Sequence, residues 1–266
     1  MYNFEYQQPK SVADAAKALT GKSEAKLMAG GMTLIPTLKQ RLARPSDVID
    51  LGKIAELVGI KKDGNAIVIG AMTRHTDVAH SDVVKAAIPA LADLADGIGD
   101  PQVRNRGTIG GSIANNDPNA DYPAACLGLG ATIITNKRRI AADDFFTGMF
   151  STALEEGEII VRISFPIAKK AGYEKFKHPA SGFALVGVFA SKRGSDIRVA
   201  VTGAGSNGVF RVPTFEEALK KRFSPKSLEG LTIPAAGMNS DIHATPEYRA
   251  HLVSVLARRA VAKAVG

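Results

Sequence analysis

The sequence predicts an α+β protein made of three consecutive units. Short apolar strand candidates alternate with helix signals early in the chain, and a longer apolar strand candidate closes a second segment. Two neighbouring strand candidates and a long amphipathic helix then occupy the C-terminal third. We place the boundaries of the three units at residues 1–53, 54–168 and 169–266.

The first unit opens with a helix. Ser11 and Asp14 have the spacing of a helix-capping motif, which predicts a helix through Leu19. The further elements predicted in this unit are a strand at 25–29, a helix at 34–42 and a strand at 48–51.

The second unit combines buried strands with short helices. Residues 66–70 and 158–165 are apolar runs that end at turn residues, as strands do. The other elements predicted here are a helix from Ser81 that Pro89 interrupts, its continuation at 91–95, a helix at 121–129 and a strand at 131–135.

The third unit is predicted to hold an antiparallel strand pair and two helices. Residues 183–191 and 197–202 are strand candidates separated by a polar turn. Thr214 is predicted to cap a short helix, and Thr245 followed by Pro246 opens the terminal helix. We predict a loop at 221–240.

Composition excludes several classes of protein. The chain has 266 residues, of which 45% are hydrophobic, and this suits a compact globular protein. The net charge of +8 is dispersed and there is no Trp, so we expect no nucleic-acid binding. One cysteine excludes internal disulfides and an iron–sulfur cluster held by this chain alone. Without a signal peptide or an apolar run of membrane-spanning length, a cytoplasmic location without a transmembrane segment is expected.

Two glycine-rich motifs carry the functional argument. Residues 28–36 and 108–121 each contain a Gly-Gly pair, followed by Thr33 in the first and Ser112 in the second. Glycine lets the backbone approach an anion closely and direct successive N–H groups at it. Either motif alone is typical of an ordinary turn, but the two together favour a dinucleotide held through its pyrophosphate. Neither matches the Rossmann or P-loop signature.

Other reactive side chains carry weaker signals. His75 and His80 lie on either side of Asp77, but without further ligands we predict no metal site. Cys126 lies among apolar residues and is predicted to be an inert buried thiol. Arg104 and Arg106 could pair with local carboxylates or contact another subunit, and the sequence leaves both open.

These motifs resemble a known family. The stretches 29–36, 70–73 and 99–112, together with Asp117-Pro118, are similar to the FAD-binding medium subunit of molybdenum hydroxylases, of the aerobic carbon monoxide dehydrogenase type. The resemblance extends over nearly the whole chain. It implies a vanillyl-alcohol-oxidase/PCMH-type FAD-binding fold, with two α/β subdomains and a C-terminal domain of antiparallel sheet and helices.

The resemblance also implies a set of cofactor-binding residues. The two glycine motifs would hold the FAD pyrophosphate, Asp121 would contact the ribose or adenine, Ile98 and Ile160 would form apolar walls, and Lys177 would lie near the flavin ring. The implied residues are Ala29, Gly30, Gly31, Met32, Thr33, Leu34, Ile98, Thr108, Ile109, Gly110, Gly111, Ser112, Asp121, Ile160 and Lys177. No catalytic residue and no metal ligand is implied in this chain.

The implied activity is electron transfer within a larger oxidoreductase. The subunit would accept electrons from 2Fe–2S clusters of a small subunit and pass them through FAD to an external acceptor such as a quinone. A molybdopterin-binding large subunit would complete a heterotrimer that dimerises. The alternatives are a stand-alone FAD-dependent oxidase or dehydrogenase of the same fold and a binding module without cofactor. For the pyrophosphate site, we expect Gly110→Val to abolish FAD binding and leave the fold largely intact.

Overall fold

The structure, a computed structural model, describes residues 1–266 and has the α+β architecture that the sequence predicts. Its strands form sheets of three, five and four strands and a two-stranded ribbon. The three larger sheets follow one another along the chain. None of the helices is both long enough and apolar enough to cross a bilayer.

The first sheet is parallel, with its last strand in the centre. Its elements are β1 (Glu5–Gln7), α1 (Val12–Leu19), β2 (Lys26–Met28), α2 (Leu34–Lys39) and β3 (Asp47–Asp50), and β1 and β2 both pair with β3. The predicted cap of α1 is confirmed, because the Ser11 side chain accepts a hydrogen bond from the Asp14 N–H. Helix α2 is shorter than predicted, and Arg41 beyond it has a φ of 60°.

The second sheet is antiparallel and follows two short 3-10 turns at 51–53 and 55–57. Its strands are β4 (Ile60–Asp63), β5 (Ala66–Gly70), β6 (Thr132–Thr135), β7 (Arg139–Ala141) and β10 (Ile160–Pro166), in the order β4-β5-β10-β6-β7. A short ribbon, β8 (Phe146–Gly148) and β9 (Ser151–Thr152), lies between β7 and β10 in the chain. The helices are α3 (His75–His80), α4 (Asp82–Ala87), α5 (Pro89–Asp96), α6 (Pro101–Arg104), α7 (Ile109–Asn115), α8 (Tyr122–Leu129) and α9 (Ala142–Phe145).

The second glycine motif is helical, and the prediction of a turn there is wrong. Thr108 is the N-cap of α7 and its hydroxyl accepts the Gly111 N–H, so Gly110 and Gly111 lie in the first turn of a helix. Asp121 stands at the N-cap position of α8, but its side chain makes no capping hydrogen bond.

The third sheet is antiparallel and lies between two helices. Its elements are β11 (Lys170–Lys177), β12 (Ala184–Arg193), β13 (Asp196–Thr202), β14 (Phe210–Arg211), α10 (Pro213–Lys221), a 3-10 turn at 225–228 and α11 (Pro246–Val265). Phe189 packs against Gly128 of α8, whereas Gly172 packs against the backbone of Ala260 in α11. The predicted pairing of β12 with β13 is confirmed.

Candidate dinucleotide-binding site

A cleft of about 380 Å³ lies where the first glycine motif faces the residues that lead into α7. Its lining includes Met28 and Asp50 of the first sheet, and Met72 and Arg74 from the segment between β5 and α3. The lining residues that concern us are Met28, Ala29, Gly30, Arg74, Arg106 and Thr108. The tertiary structure therefore brings together two motifs that are almost eighty residues apart in the sequence.

The two glycine motifs are in direct contact. A β-carbon on Gly30 would overlap the backbone carbonyl of Arg106, and one on Gly111 would lie 3.2 Å from the Cβ of Ala29. Real Cβ contacts are rarely that short, so the absence of side chains at both positions lets the backbones meet. Glycine is required here for a close approach between two segments of the protein itself.

The first motif presents free hydrogen-bond donors. The backbone N–H groups from Gly30 to Leu34 have no acceptor within the protein. Gly31 has a φ of 76°, the left-handed conformation that glycine adopts without steric cost. A run of successive unpaired N–H groups is the usual form of a backbone anion site.

The second motif uses its donors internally. The Ile109 N–H donates to the Thr73 carbonyl at 3.1 Å and the Gly110 N–H donates to the Ala71 carbonyl at 2.8 Å. These bonds fix the start of α7 against the second sheet and leave few N–H groups for a ligand. The hydroxyl of Ser112, which has no hydrogen-bond partner, remains available.

Gly110 lies in the protein interior, which changes the outcome expected for its replacement. A β-carbon at this position would lie 2.5 Å from the Cβ of Ala71 and 2.7 Å from its carbonyl oxygen. Gly110→Val would therefore disturb the contact between α7 and the second sheet. The expectation that this variant keeps its fold is wrong, and Ser112 is a better position for testing ligand binding.

Two arginines, Arg74 and Arg106, and two aspartates, Asp50 and Asp77, line the cleft, so the formal charges of its lining balance. Arg74 and Arg106 both line it, and neither has a carboxylate partner within 4.0 Å. Arg104 does not line the cleft. Its guanidinium donates to the Ile98 carbonyl at 3.1 Å and lies 3.8 Å from Asp96. No sequence motif marked Arg74, which lies between the predicted strand at 66–70 and the helix predicted from Ser81.

Asp121 lies in a buried ion pair outside this cleft. Its carboxylate accepts a 2.5 Å hydrogen bond from the Tyr173 hydroxyl and lies 2.9 Å from the Lys175 ammonium group. Burial raises the pKa of Asp121, against the opposing effect of the Lys175 charge. The side chain is 2% exposed, so its oxygens serve partners within the protein.

Among the residues implied by the family resemblance, Ala29, Gly30 and Thr108 line the cleft, residues 31–34 and 109–112 follow them in the chain, and Ile98, Ile160 and Lys177 lie outside it. Ile98 and Ile160 are 7% and 5% exposed, and Lys177 is exposed at the end of β11. The loop that follows Lys177 returns towards Ile98, since Gly182 packs against the backbone of Gly99. Ile98 and Lys177 therefore belong to a second region, where the second unit meets the third.

His75 packs against Gly107, directly before the second motif. Its backbone N–H donates to the Gly107 carbonyl at 3.0 Å, and its ring lies against the position that a Gly107 side chain would take. Burial lowers the pKa of His75 to about 4, with a smaller effect from the charge of Arg104, so the ring is neutral at physiological pH.

The structure brings no three His, Cys, Asp or Glu side chains together as metal ligands. Cys126 is fully buried, as predicted, and burial raises the pKa of its thiol. A buried thiol with a raised pKa is a poor nucleophile, because only the thiolate reacts.

Comparison with known proteins identifies the family. Residues 2–168 match the model for the FAD binding domain in molybdopterin dehydrogenase. The chain belongs to this family. It is therefore an FAD-binding oxidoreductase subunit with the PCMH-type fold.

Relatives align with this FAD-binding chain over nearly its whole length. It is 38% identical to the carbon monoxide dehydrogenase medium chain of Hydrogenophaga pseudoflava, and the alignment covers 97% of this chain and 96% of the relative. It is 35% identical to the nicotine 6-hydroxylase medium subunit of Paenarthrobacter nicotinovorans, with the same coverage. A solved structure of the Hydrogenophaga pseudoflava carbon monoxide dehydrogenase superposes with a TM-score of 0.89 at 37% identity, covering 99% of this chain and 98% of that one.

Proposed function

We propose that this chain is the electron-transfer subunit of a three-subunit molybdenum–iron–sulfur hydroxylase. Electrons would reach it from 2Fe–2S clusters of a small subunit, after substrate oxidation in a molybdopterin-binding large subunit. They would leave to an external acceptor such as a quinone. When bound, FAD supplies the exchange between one-electron and two-electron transfer, and the protein supplies binding, orientation and electrostatics.

The observation that carries the proposal is the run of free N–H groups at 30–34, which begins at Gly30 in the lining of the cleft, together with two lining arginines that pair with no carboxylate. A pyrophosphate is a strong hydrogen-bond acceptor with negative charge, and charge-assisted hydrogen bonds are the stronger kind. We assign the pyrophosphate to this cleft, with Arg74 and Arg106 as additional contacts.

The remaining cofactor contacts are part of the same proposal. Thr108 and Ser112 offer hydroxyl groups, Ile98 and Ile160 offer apolar side chains, and Lys177 offers a positive charge for the flavin ring. Asp121 is assigned an indirect role, because Tyr173 and Lys175 already occupy its carboxylate. We propose it as the residue that holds the end of β11 in position.

The proposal includes the division of the chain into domains and its assembly with other subunits. We propose subdomains at 1–53 and 54–168 and a C-terminal domain at 169–266, and the three consecutive sheets support this division. We also propose a cytoplasmic heterotrimer that dimerises. Two relatives of similar identity act on carbon monoxide and nicotine by name, so we expect the large subunit to select the substrate.

Titration with FAD tests the cofactor site. Ser112→Asp adds a negative charge beside the proposed pyrophosphate and should weaken FAD binding at least about tenfold, through like-charge repulsion. Ser195→Asp makes the same change in the exposed turn between β12 and β13 and should leave the affinity unchanged. Equal affinities in the two variants, with equal melting temperatures, would refute the assignment.

Co-purification separates the alternatives. The proposed subunit should associate with molybdenum-containing and iron–sulfur chains, whereas a stand-alone oxidase or dehydrogenase would turn over substrate by itself. A binding module without cofactor would take up no flavin.

A further inference from the structure

A second cavity, of about 280 Å³, lies between the loop after β11 and the segment that leads into α11. No residue implied by the family resemblance lines it. The side chains that define it are Asn119, His178, Ser181, Phe183, Asp241 and His243.

The hydrogen bonds around His178 determine which ring nitrogens carry protons. The backbone N–H groups of Ala180 and Ser181 both point at His178 Nδ1, at 3.3 and 3.4 Å, so this nitrogen is an acceptor. The neutral ring then carries its proton on Nε2, which lies 3.3 Å from Nδ1 of His243 and donates to it. By the same reasoning, His243 carries its own proton on Nε2 and keeps it as an unused donor.

The cavity has no free charge. Arg249 is 1% exposed, donates to the carbonyls of Leu185 and Gly203, and pairs with Asp241 at 2.6 Å. A phosphate or carboxylate ligand would therefore find no unpaired cation among the lining residues. A neutral ligand suits this lining better, because it brings no charge that must be paired.

The cavity has both apolar side chains and hydrogen-bond donors in its lining. Phe183 and Leu185 are the large apolar side chains that line it. The donors are the His243 Nε2–H, the Ser181 hydroxyl and the Asn119 amide. A flat ring bearing carbonyl oxygens matches this combination of apolar contacts and donors.

The position of the cavity connects it with the flavin. His178 follows Lys177 directly, and the loop over the cavity packs against Gly99, next to Ile98. Lys177 and Ile98 are the residues assigned to the flavin ring under the proposed function. The cavity thus adjoins the place where electrons would leave the protein.

We propose that this cavity binds the head group of a neutral quinone, the external electron acceptor, with His243 donating to one carbonyl oxygen. The inference rests on the proposed function. Reduction of the quinone to the quinol takes two electrons from the reduced cofactor and two protons, and these balance the protons that the cofactor releases, to the quinone or to solvent, as it is reoxidised; solvent reaches the exposed His243 ring. The quinol then leaves and no other co-reactant is needed.

Proton NMR of the full-length chain, with and without FAD, tests this assignment. The chain has five histidines, and menadione should shift the ring resonances of His178 and His243 only. His243→Ala should weaken menadione binding at least about tenfold by removing a donor and a ring contact. Phe183→Ala should weaken it as well. His80→Ala, at an exposed histidine of α3, should leave it unchanged.

The outcomes separate the two proposals. FAD affinity should be the same in His243→Ala and in the unmodified chain. Menadione affinity unchanged by His243→Ala, or no menadione binding by a chain that binds FAD, would overturn the quinone site and leave the proposed function standing. Saturable NAD binding at the two histidines would overturn the assignment to a neutral ligand. Failure to bind FAD in the assembled complex would overturn the proposed function itself.

Discussion

The α-carbon of Gly30 lies directly against the backbone carbonyl of Arg106, with no space for a side chain between them. This contact joins the first glycine motif to the segment that leads into α7. Gly30, Arg74 and Arg106 all line the cleft, so this contact fixes how closely the two segments approach each other there.

We therefore expect Gly30→Ala to separate the two motifs. Overpacking of this kind costs about 1–3 kcal/mol of unfolding free energy, and the widened cleft should lose at least about tenfold in FAD affinity, or about 1.4 kcal/mol. Urea unfolding and FAD titration measure the two effects. Gly64→Ala is the matched control, because Gly64 has a φ of 56° in open space and the strain there is far from the cleft. A Gly30→Ala protein with unchanged FAD affinity would contradict the prediction.

The ion pair of Lys175 and Asp121 should show strong coupling in a double-mutant cycle. Lys175→Met leaves the Asp121 carboxylate buried without its cation, and the loss of one partner of a buried pair costs about 3–5 kcal/mol. Adding Asp121→Asn removes the unpaired charge and should restore part of the stability. Thermal or urea unfolding of the four proteins gives the coupling energy. Additive effects would show that the two side chains act independently.

His75 should make the stability depend on pH above the range where carboxylates titrate. Its pKa falls to about 4 on folding from an ordinary value of 6.5, so the unfolded chain binds the proton more tightly. The contribution of His75 to the free energy of unfolding is fully present above its ordinary pKa of 6.5 and is lost as the pH falls towards about 4. Between about pH 7 and about pH 5 the loss is about 2 kcal/mol.

Replacement of this histidine checks the effect. Urea unfolding of His75→Gln should show a smaller loss of stability over that interval than the unmodified chain. His80→Gln, in the same helix but exposed, should behave like the unmodified chain. An identical pH dependence in all three proteins would show that the ring does not titrate with folding.

Glu158 should make the stability of the protein depend on pH in a separate, more acidic range. Its carboxylate accepts two 3.0 Å hydrogen bonds from Arg138 and one of 2.7 Å from Thr135, which lower its pKa from 4.5 to about 2. The contribution is present above the ordinary pKa and is lost as the pH falls towards about 2. We expect it to be about 2 to 3 kcal/mol, since the side chain is buried although Arg138 is partly exposed.

A matched pair of variants isolates this carboxylate. Glu158→Gln should lose stability at neutral pH and much of its acid dependence, measured by unfolding between about pH 6 and about pH 2.5. Glu155→Gln removes a neighbouring, exposed carboxylate that contacts the same arginine at 3.2 Å, and should change little. Equal effects at the two positions would mean that burial does not distinguish them.

The sequence predicted those features that depend on local preferences. The caps at Ser11 and Thr245 and the pairing of β12 with β13 are confirmed. Their signals lie within a few residues of the elements they specify, because capping and strand alternation are short-range effects. The glycine motifs were also recognisable, and with them the family and its cofactor.

Predictions from local preferences were wrong where contacts with other parts of the chain determine the structure. The pair Gly110 and Gly111 is typical of a turn, yet it is helical because Ala71 and Thr108 accept its N–H groups. Strand β11 has a mixture of charged and apolar residues that hides its alternation, and it exists because β12 and α11 cover it.

The sequence by itself determined the class of fold, the family and the two glycine motifs that meet at the cleft. Only the tertiary structure decided which donors of those segments are free, that Arg74 joins them, and that Asp121 is bound by Tyr173, 52 residues away. The physical reason is that a donor or a charge is available only when no partner lies within bonding distance. Distances between remote residues are set by packing, which a linear pattern does not record.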